Sequence, residues 1–169
     1  MDLIGCKVTI MQNRNTNLND IYMSDRLQAQ LQQIDQYAMT CVVAPMGYGK
    51  TTAVNWFLGE RSKVPGTRVV RISIYSDSLA IFWRSAQSAF AHAGLDFLRQ
   101  YELPSDLQGV MLLMDDMNRA LAGTGPFYIF LDDYHLLRGP RCAHFLCKCA
   151  VQLPKNVHII IASRNHFLS

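Results

Sequence analysis

Four apolar segments separated by helix-like patterns constrain the fold of this chain more than any other feature. They span residues 40–44, 67–74, 127–131 and 157–162 and are rich in β-branched and aromatic residues. They do not alternate apolar with polar residues, as a strand with one face in water would. Strands buried on both faces and alternating with helices are typical of a parallel sheet. The sequence therefore predicts an α/β fold, a three-layer αβα sandwich around a parallel sheet.

The segments between these strands predict five helices. The first is capped by Ser24, and the second runs from Lys50 to about Leu58 with Gly59 at its C-terminal end. The third spans 79–94. The fourth begins at a Ser105–Gln108 capping box, and the fifth has Pro140 in its first turn.

Length and composition favour a single domain that occupies most of the chain. The 169 residues are 50% hydrophobic, which is enough for a substantial core. Residues 12–20 are polar and rich in asparagine, so residues 1–20 predict an N-terminal arm, in which 8–10 could form a short strand, before a domain over 21–169.

Charge and hydropathy exclude several classes of function. The net charge of +3 is small and scattered, which does not favour a nucleic-acid surface. The apolar runs are far shorter than the roughly 20 residues that cross a bilayer, and the N-terminus lacks the pattern of a secretory leader. We therefore expect a cytoplasmic domain with no membrane partner.

Five cysteines form an odd count, and three of them cluster at 142, 147 and 149. Zinc sites usually combine two such pairs of ligands, and a second pair is lacking here. On a helix, Cys142 and Cys149 share one face with Phe145, Leu146 and Leu153. We therefore interpret these thiols as reduced core residues.

The most informative motif lies where the first apolar strand gives way to a helix, at Ala44-Pro45-Met46-Gly47-Tyr48-Gly49-Lys50-Thr51-Thr52. It matches the pattern G-x-x-x-x-G-K-[ST] except at Ala44. The glycines allow successive N–H groups to face phosphate oxygens, and the helix start adds positive potential. In this pattern Lys50 reaches the β- and γ-phosphates and the Thr51 hydroxyl ligates Mg²⁺.

Acidic and basic residues follow two later strands. Asp132 and Asp133 end the third strand, where Asp132 is a candidate Mg²⁺ ligand and Asp133 a candidate for orienting an attacking water. Arg164 follows the fourth strand; if that strand lies between the first and third, Arg164 faces the γ-phosphate. His135 is a weaker candidate for phosphate sensing, with packing the favoured interpretation.

Three segments together resemble a known family. They are the loop at 44–52, Phe130-Leu131-Asp132-Asp133-Tyr134-His135-Leu136-Leu137, and Ile160-Ile161-Ala162-Ser163-Arg164-Asn165. Together they resemble the ATP-binding domain of MalT-type LuxR-family transcription regulators, which are STAND-class P-loop NTPases of the ASCE type. The likeness covers about residues 20–169. It includes Tyr22-Met23-Ser24-Asp25-Arg26-Leu27, and in the family an arginine at the position of Arg26 lies near the base.

The resemblance implies a switch. ADP would hold a closed monomer, ATP with an inducer would favour a self-associated form that binds promoters, and slow hydrolysis would reset it. Met46 stands where the family has a small residue, and we expect it to alter packing under the loop. The family pattern also continues with a fifth strand, a lid and a helix-turn-helix. We therefore expect a fragment truncated before the fifth strand, with DNA binding in the absent C-terminal part.

Two alternatives stay open from the residues alone. A small P-loop kinase or other phosphotransferase needs an acceptor site and usually an arginine-rich lid, but residues 94–125 supply only Arg99 and Arg119. A bare interaction domain with a degenerate loop is disfavoured because Lys50, Thr51 and Asp132 are all present.

Overall fold

The computed structural model describes residues 6–9 and 23–165, with the side chains of 6–9 left aside. The strands are β1 (Cys6–Thr9), β2 (Met39–Val43), β3 (Arg68–Ser73), β4 (Phe127–Asp132) and β5 (Val157–Ser163). The α-helices are α1 (Asp25–Gln32), α2 (Lys50–Ser62), α3 (Leu79–His92), α4 (Leu107–Leu121) and α5 (Pro140–Gln152). Short 3-10 helices lie at Gln33–Gln36, Asp96–Gln100 and Tyr134–Leu136. No described helix is long and apolar enough to span a bilayer.

The strands form one parallel sheet in the order β1-β2-β5-β4-β3. The last strand, β5, therefore lies between the strand that precedes the glycine-rich loop and the strand that ends at Asp132. This is the arrangement on which the expected position of Arg164 depended. It brings the carboxyl ends of β2, β5 and β4 together at one edge of the sheet.

Helices cover both faces of the sheet, which confirms the predicted three-layer α/β fold. On one face α1 and α2 pack on Val42, Tyr128, Phe130 and Ile160. On the other face α3, α4 and α5 pack on a larger cluster. Consecutive residues of β4 and β5 thus enter opposite cores, which is why these strands are apolar throughout.

The N-terminal segment adds a strand to the sheet. Within the arm predicted over residues 1–20 a short strand was expected at 8–10, and Cys6–Thr9 pairs in parallel with β2, from Cys6 opposite Thr40 to Thr9 opposite Val43. The observed strand begins two residues before the predicted one, because its extent is set by main-chain pairing with β2 rather than by side-chain pattern. The remainder of the predicted arm lies outside the described residues.

Two predicted helix boundaries were wrong. The helix α2 runs through Gly59 to Ser62, because Val54, Phe57 and Leu58 fix it to the sheet and outweigh the roughly 1 kcal/mol that an internal glycine costs. The cap of α4 is Asp106, whose carboxylate accepts the Gly109 N–H at 2.7 Å, rather than Ser105.

The cysteine-bearing helix agrees with the packing interpretation. Cys142 and Cys149 are buried in the larger core together with Leu146. Burial raises the pKa of Cys142 to about 11 and that of Cys149 to about 12. Within residues 23–165 no three or more histidine, cysteine or carboxylate side chains lie close enough together to hold a metal ion by themselves.

Gly59 offers a test of the extended helix α2. Gly59 has no positive φ, and a Cβ built on it meets nothing within 4 Å. We expect Gly59→Ala to raise the free energy of unfolding by about 0.5–1 kcal/mol in urea denaturation. Gly66, at φ 82°, is the matched control, and Gly66→Ala should lower that free energy. A destabilising Gly59→Ala would contradict a helix that continues to Ser62.

Candidate nucleotide-binding site

The glycine-rich loop leaves β2 at Val43 and enters α2 at Lys50. Gly47 has φ 81° and Gly49, which caps α2, has φ 73°. A Cβ at Gly47 would meet no atom within 4 Å, so the backbone angle rather than space requires glycine there. Left-handed residues just before a helix are typical of loops whose main-chain N–H groups bind anions.

The side chain of Lys50 reaches back to the loop that precedes it. Its Nζ donates to the carbonyl oxygen of Ala44 at 2.7 Å and to that of Pro45 at 2.9 Å, and the residue is only 8% exposed. Burial lowers the pKa of Lys50, and nearby Arg164 lowers it further, while Asp133 and Asp132 act in the opposite direction. The ammonium is therefore held at the loop's centre, where it is poorly hydrated.

Thr51 and Asp132 meet across the edge of the sheet. The Thr51 hydroxyl donates to Asp132 Oδ2 at 2.9 Å and lies 3.1 Å from Oδ1. A hydroxyl and a carboxylate held together are hard oxygen donors of the kind that Mg²⁺ prefers. The donor set therefore fits a magnesium ion shared between α2 and β4.

Asp133 adopts a strained backbone conformation next to this pair. Its φ of 56° makes it the one described non-glycine residue in the left-handed region. Its N–H donates to Asp132 Oδ1 at 2.9 Å, and its exposed carboxylate lies 3.9 Å from His135 Nδ1. Non-glycine residues in the left-handed region are uncommon and are often found at functional sites.

Arg164 lies between the two motifs along the edge. It follows Ser163, which is opposite Val43 in the sheet and whose carbonyl oxygen accepts the Ala44 N–H at 3.3 Å. Arg164 is exposed, and its charge contributes to the lowered pKa of both Lys50 and His135. The structure thus brings Lys50, Thr51, Asp132, Asp133 and Arg164 to one place.

Arg26 and Met46, two further residues of the predicted site, are both exposed. Arg26 lies exposed in the first turn of α1, which packs beside α2, but within the described part of the chain no hydrogen bond or ion pair joins it to the loop. Met46 is 67% exposed, so it does not pack under the loop as expected. The motif did not predict that the carbonyl groups of Ala44 and Pro45 accept hydrogen bonds from Lys50.

Comparisons with known proteins show what the chain is similar to. No family model matches the chain. MalT of Klebsiella pneumoniae, an HTH-type transcriptional regulator, is 26% identical over 161 residues. MalT of Yersinia pestis is 23% identical over 153 residues, and each alignment covers 90% of this chain.

A solved structure shows the same fold. Cdc6p from Pyrobaculum aerophilum superposes with a TM-score of 0.52 at 17% identity, over 88% of this chain and 42% of that one. In sequence the chain therefore resembles a segment of MalT, and it shares its fold with Cdc6p. It spans 17% of the length of the MalT proteins that it matches.

We expect His135 to make the stability of the domain depend on pH. Neither ring nitrogen has a hydrogen-bond partner among the described residues. Burial, and then Arg164, lower the pKa of His135 in the folded protein below the value of about 6.5 expected when unfolded. Because the unfolded state then binds more protons, the free energy of unfolding should fall as the pH drops through about 6.5.

Urea denaturation at pH 7.5 and pH 5.5 tests this. We expect His135→Gln to lose less stability than the wild type between these two pH values. The exposed His144→Gln should keep the wild-type dependence. An unchanged pH dependence in His135→Gln would show that another group causes it.

Proposed function

We propose that this domain binds ATP or ADP with Mg²⁺ and acts as the nucleotide-dependent switch of a longer MalT-like regulator. The observation that carries the proposal is the contact of Thr51 with Asp132. It joins the first turn after a glycine-rich loop to the end of a strand 81 residues later. A tight turn without a function in nucleotide binding requires no such pair of oxygen donors.

The loop at 44–52 is assigned to the phosphates. Main-chain N–H groups between Gly47 and Lys50 and the positive end of α2 favour a bound anion. Lys50 exchanges its two carbonyl partners for β- and γ-phosphate oxygens. That exchange is favourable because a charged acceptor makes a stronger hydrogen bond than a neutral one.

Thr51 and Asp132 are assigned to Mg²⁺. A Mg²⁺ ion held there would neutralise phosphate charge. The Thr51 hydroxyl and the Asp132 carboxylate would be its protein ligands. Asp132 remains positioned by β4 and by the Asp133 N–H.

Asp133 and Arg164 are assigned to hydrolysis and to sensing its outcome. The exposed Asp133 carboxylate accepts a proton from, or orients, the attacking water. Arg164 pairs with the γ-phosphate and loses that partner in the ADP state. Slow hydrolysis then resets the switch. Arg26 is proposed as a contact for the base, on the resemblance alone.

The regulatory part of the proposal rests on the relatives. They are HTH-type transcriptional regulators, and the chain aligns with 17% of their length. We assign DNA binding to a helix-turn-helix outside this chain, and ATP-driven self-association to the intact protein. Tight ADP retention without turnover is the expected behaviour of such a switch.

A small phosphotransferase is the competing proposal, and the structure offers it little. The two arginines of region 94–125 form local ion pairs, Arg99 with Asp96 and Arg119 with Asp116. Neither of these ion pairs involves a residue of the loop at 44–52. Transfer of phosphate that depends on an added acceptor would favour this alternative.

Calorimetric titration of ATP and ADP with Mg²⁺ tests the phosphate site. We expect Lys50→Ala to lose about 2–3 kcal/mol of binding free energy, or roughly 30- to 150-fold in affinity, because a charged hydrogen bond to phosphate is removed. Lys63→Ala, at the exposed other end of α2, is the control and should bind normally. Wild-type affinity in Lys50→Ala would refute the loop assignment.

Turnover measurements separate the two carboxylates. We expect Asp133→Asn to lower the hydrolysis rate by roughly 100-fold while changing ATP affinity little, as for loss of a general base. Asp132→Asn should instead weaken the Mg²⁺-dependent part of binding. Equal losses of rate and affinity in Asp133→Asn would contradict its proposed role.

A further inference from the structure

A basic groove lies at the opposite side of the sheet from β2. It has a volume of about 570 Å³ and is lined by alternate residues of β3 and its continuation and by one side of α3. The intervening residues Val70, Ile72 and Ile74 fill the space between β3 and α3. The groove therefore runs along the outer edge of β3 rather than beneath it.

The charged side chains that line the groove are all basic. Arg71 and Arg84 line it and are both exposed, and His92 lies at one end. Arg71 Nε donates to Asn55 Oδ1 at 3.3 Å, a neutral partner. Neither arginine forms a salt bridge within residues 23–165, and none of the described lining residues carries a carboxylate. The site thus favours an anionic occupant.

Hydroxyl groups add uncharged donors and acceptors to the same surface. They belong to Ser73, Tyr75, Ser85 and Ser88. His92 Nδ1 is 2.7 Å from the Ser88 carbonyl oxygen, which fixes the ring against α3. An occupant therefore meets polar side chains from both the strand and the helix.

The strand itself restricts what kind of anion fits. β3 is the last strand of the described sheet, paired on its inner side with β4 over all six of its residues. About half of its main-chain N–H and C=O groups point outward and have no strand partner in the described part of the chain. Only a polypeptide offers alternating donors and acceptors at the matching spacing of about 3.3 Å.

We propose that this groove binds an extended acidic peptide segment, which adds to β3 as a further strand and pairs its carboxylates with Arg71 and Arg84. Main-chain hydrogen bonds supply affinity, and the side chains at alternate positions supply specificity. A strand of six residues spans roughly 20 Å, so the occupant needs about six residues. This inference does not depend on nucleotide binding.

Fluorescence anisotropy with a labelled hexapeptide of alternating glutamate and valine tests the proposal in nucleotide-free buffer. We expect the double variant Arg71→Gln/Arg84→Gln to raise the Kd about fivefold or more, which is a typical loss for two surface ion pairs. Arg99→Gln removes the same kind of exposed charge outside the groove and should leave the Kd unchanged. An unchanged denaturation midpoint checks that the double variant is folded.

A second peptide separates strand addition from general attraction of anions. The same peptide with alternate amides N-methylated keeps its charge but cannot complete the main-chain ladder. We expect it to bind at least tenfold more weakly, and we expect the unmodified peptide to slow hydrogen exchange in β3. The proposal is overturned if the acidic peptide does not bind, if the arginine variants bind it normally, or if the N-methylated peptide or oligothymidylate binds equally well.

Discussion

Parallel pairing of β5 with both β2 and β4 is the constraint on which the candidate site depends. Residues 44–52, Asp132 and Arg164 are far apart in sequence, yet each directly follows or ends one of these three strands. Because the strands are parallel, their carboxyl ends meet at one edge, where open α/β sheets bind ligands. The buried apolar residues of β4 and β5 hold that register against both helical layers. The core thus determines the geometry of a site made almost entirely of polar residues.

The charges at this edge balance one another. Lys50 and Arg164 are cationic, and Asp132 and Asp133 are anionic, so the pKa of Lys50 is pulled in both directions, with burial and Arg164 prevailing. A nucleotide phosphate added to such a cluster brings several negative charges. Asp132 and Asp133 already offset Lys50 and Arg164, so under the proposed function a Mg²⁺ ion held by Thr51 and Asp132 would supply the missing positive charge. The metal and the nucleotide are therefore expected to bind together rather than independently.

The fold and the site differ in how far the sequence predicted them. The apolar runs predicted β4 and β5 because burial on both faces leaves a strong compositional signal. The edge strand β3 was also predicted, but its residues alternate between buried and exposed instead of being buried on both faces. The signal was weak for Cys6–Thr9, whose place in the sheet depends on main-chain pairing with β2. Motif spacing predicted that Lys50 and Asp132 are neighbours. It did not predict that the Ala44 and Pro45 carbonyl groups hold Lys50, or that Asp133 is left-handed, since both depend on the backbone path of the turns.

The basic groove lies along β3, and the candidate site includes the end of β4, the strand that pairs with β3. Ser73 lines the groove and is opposite Asp132 in the sheet, and the Ile74 N–H donates to the Asp132 carbonyl oxygen at 3.1 Å. A peptide strand added to β3 would restrain the same main chain that positions the proposed metal ligand. Coupling of two binding equilibria is reciprocal. If Mg²⁺ and ATP change the affinity for the peptide by some factor, the peptide must therefore change the affinity for the nucleotide by that same factor. If the domain is the proposed switch and the groove binds the proposed peptide, the nucleotide state would thus be reported at β3 without any contact between the two ligands.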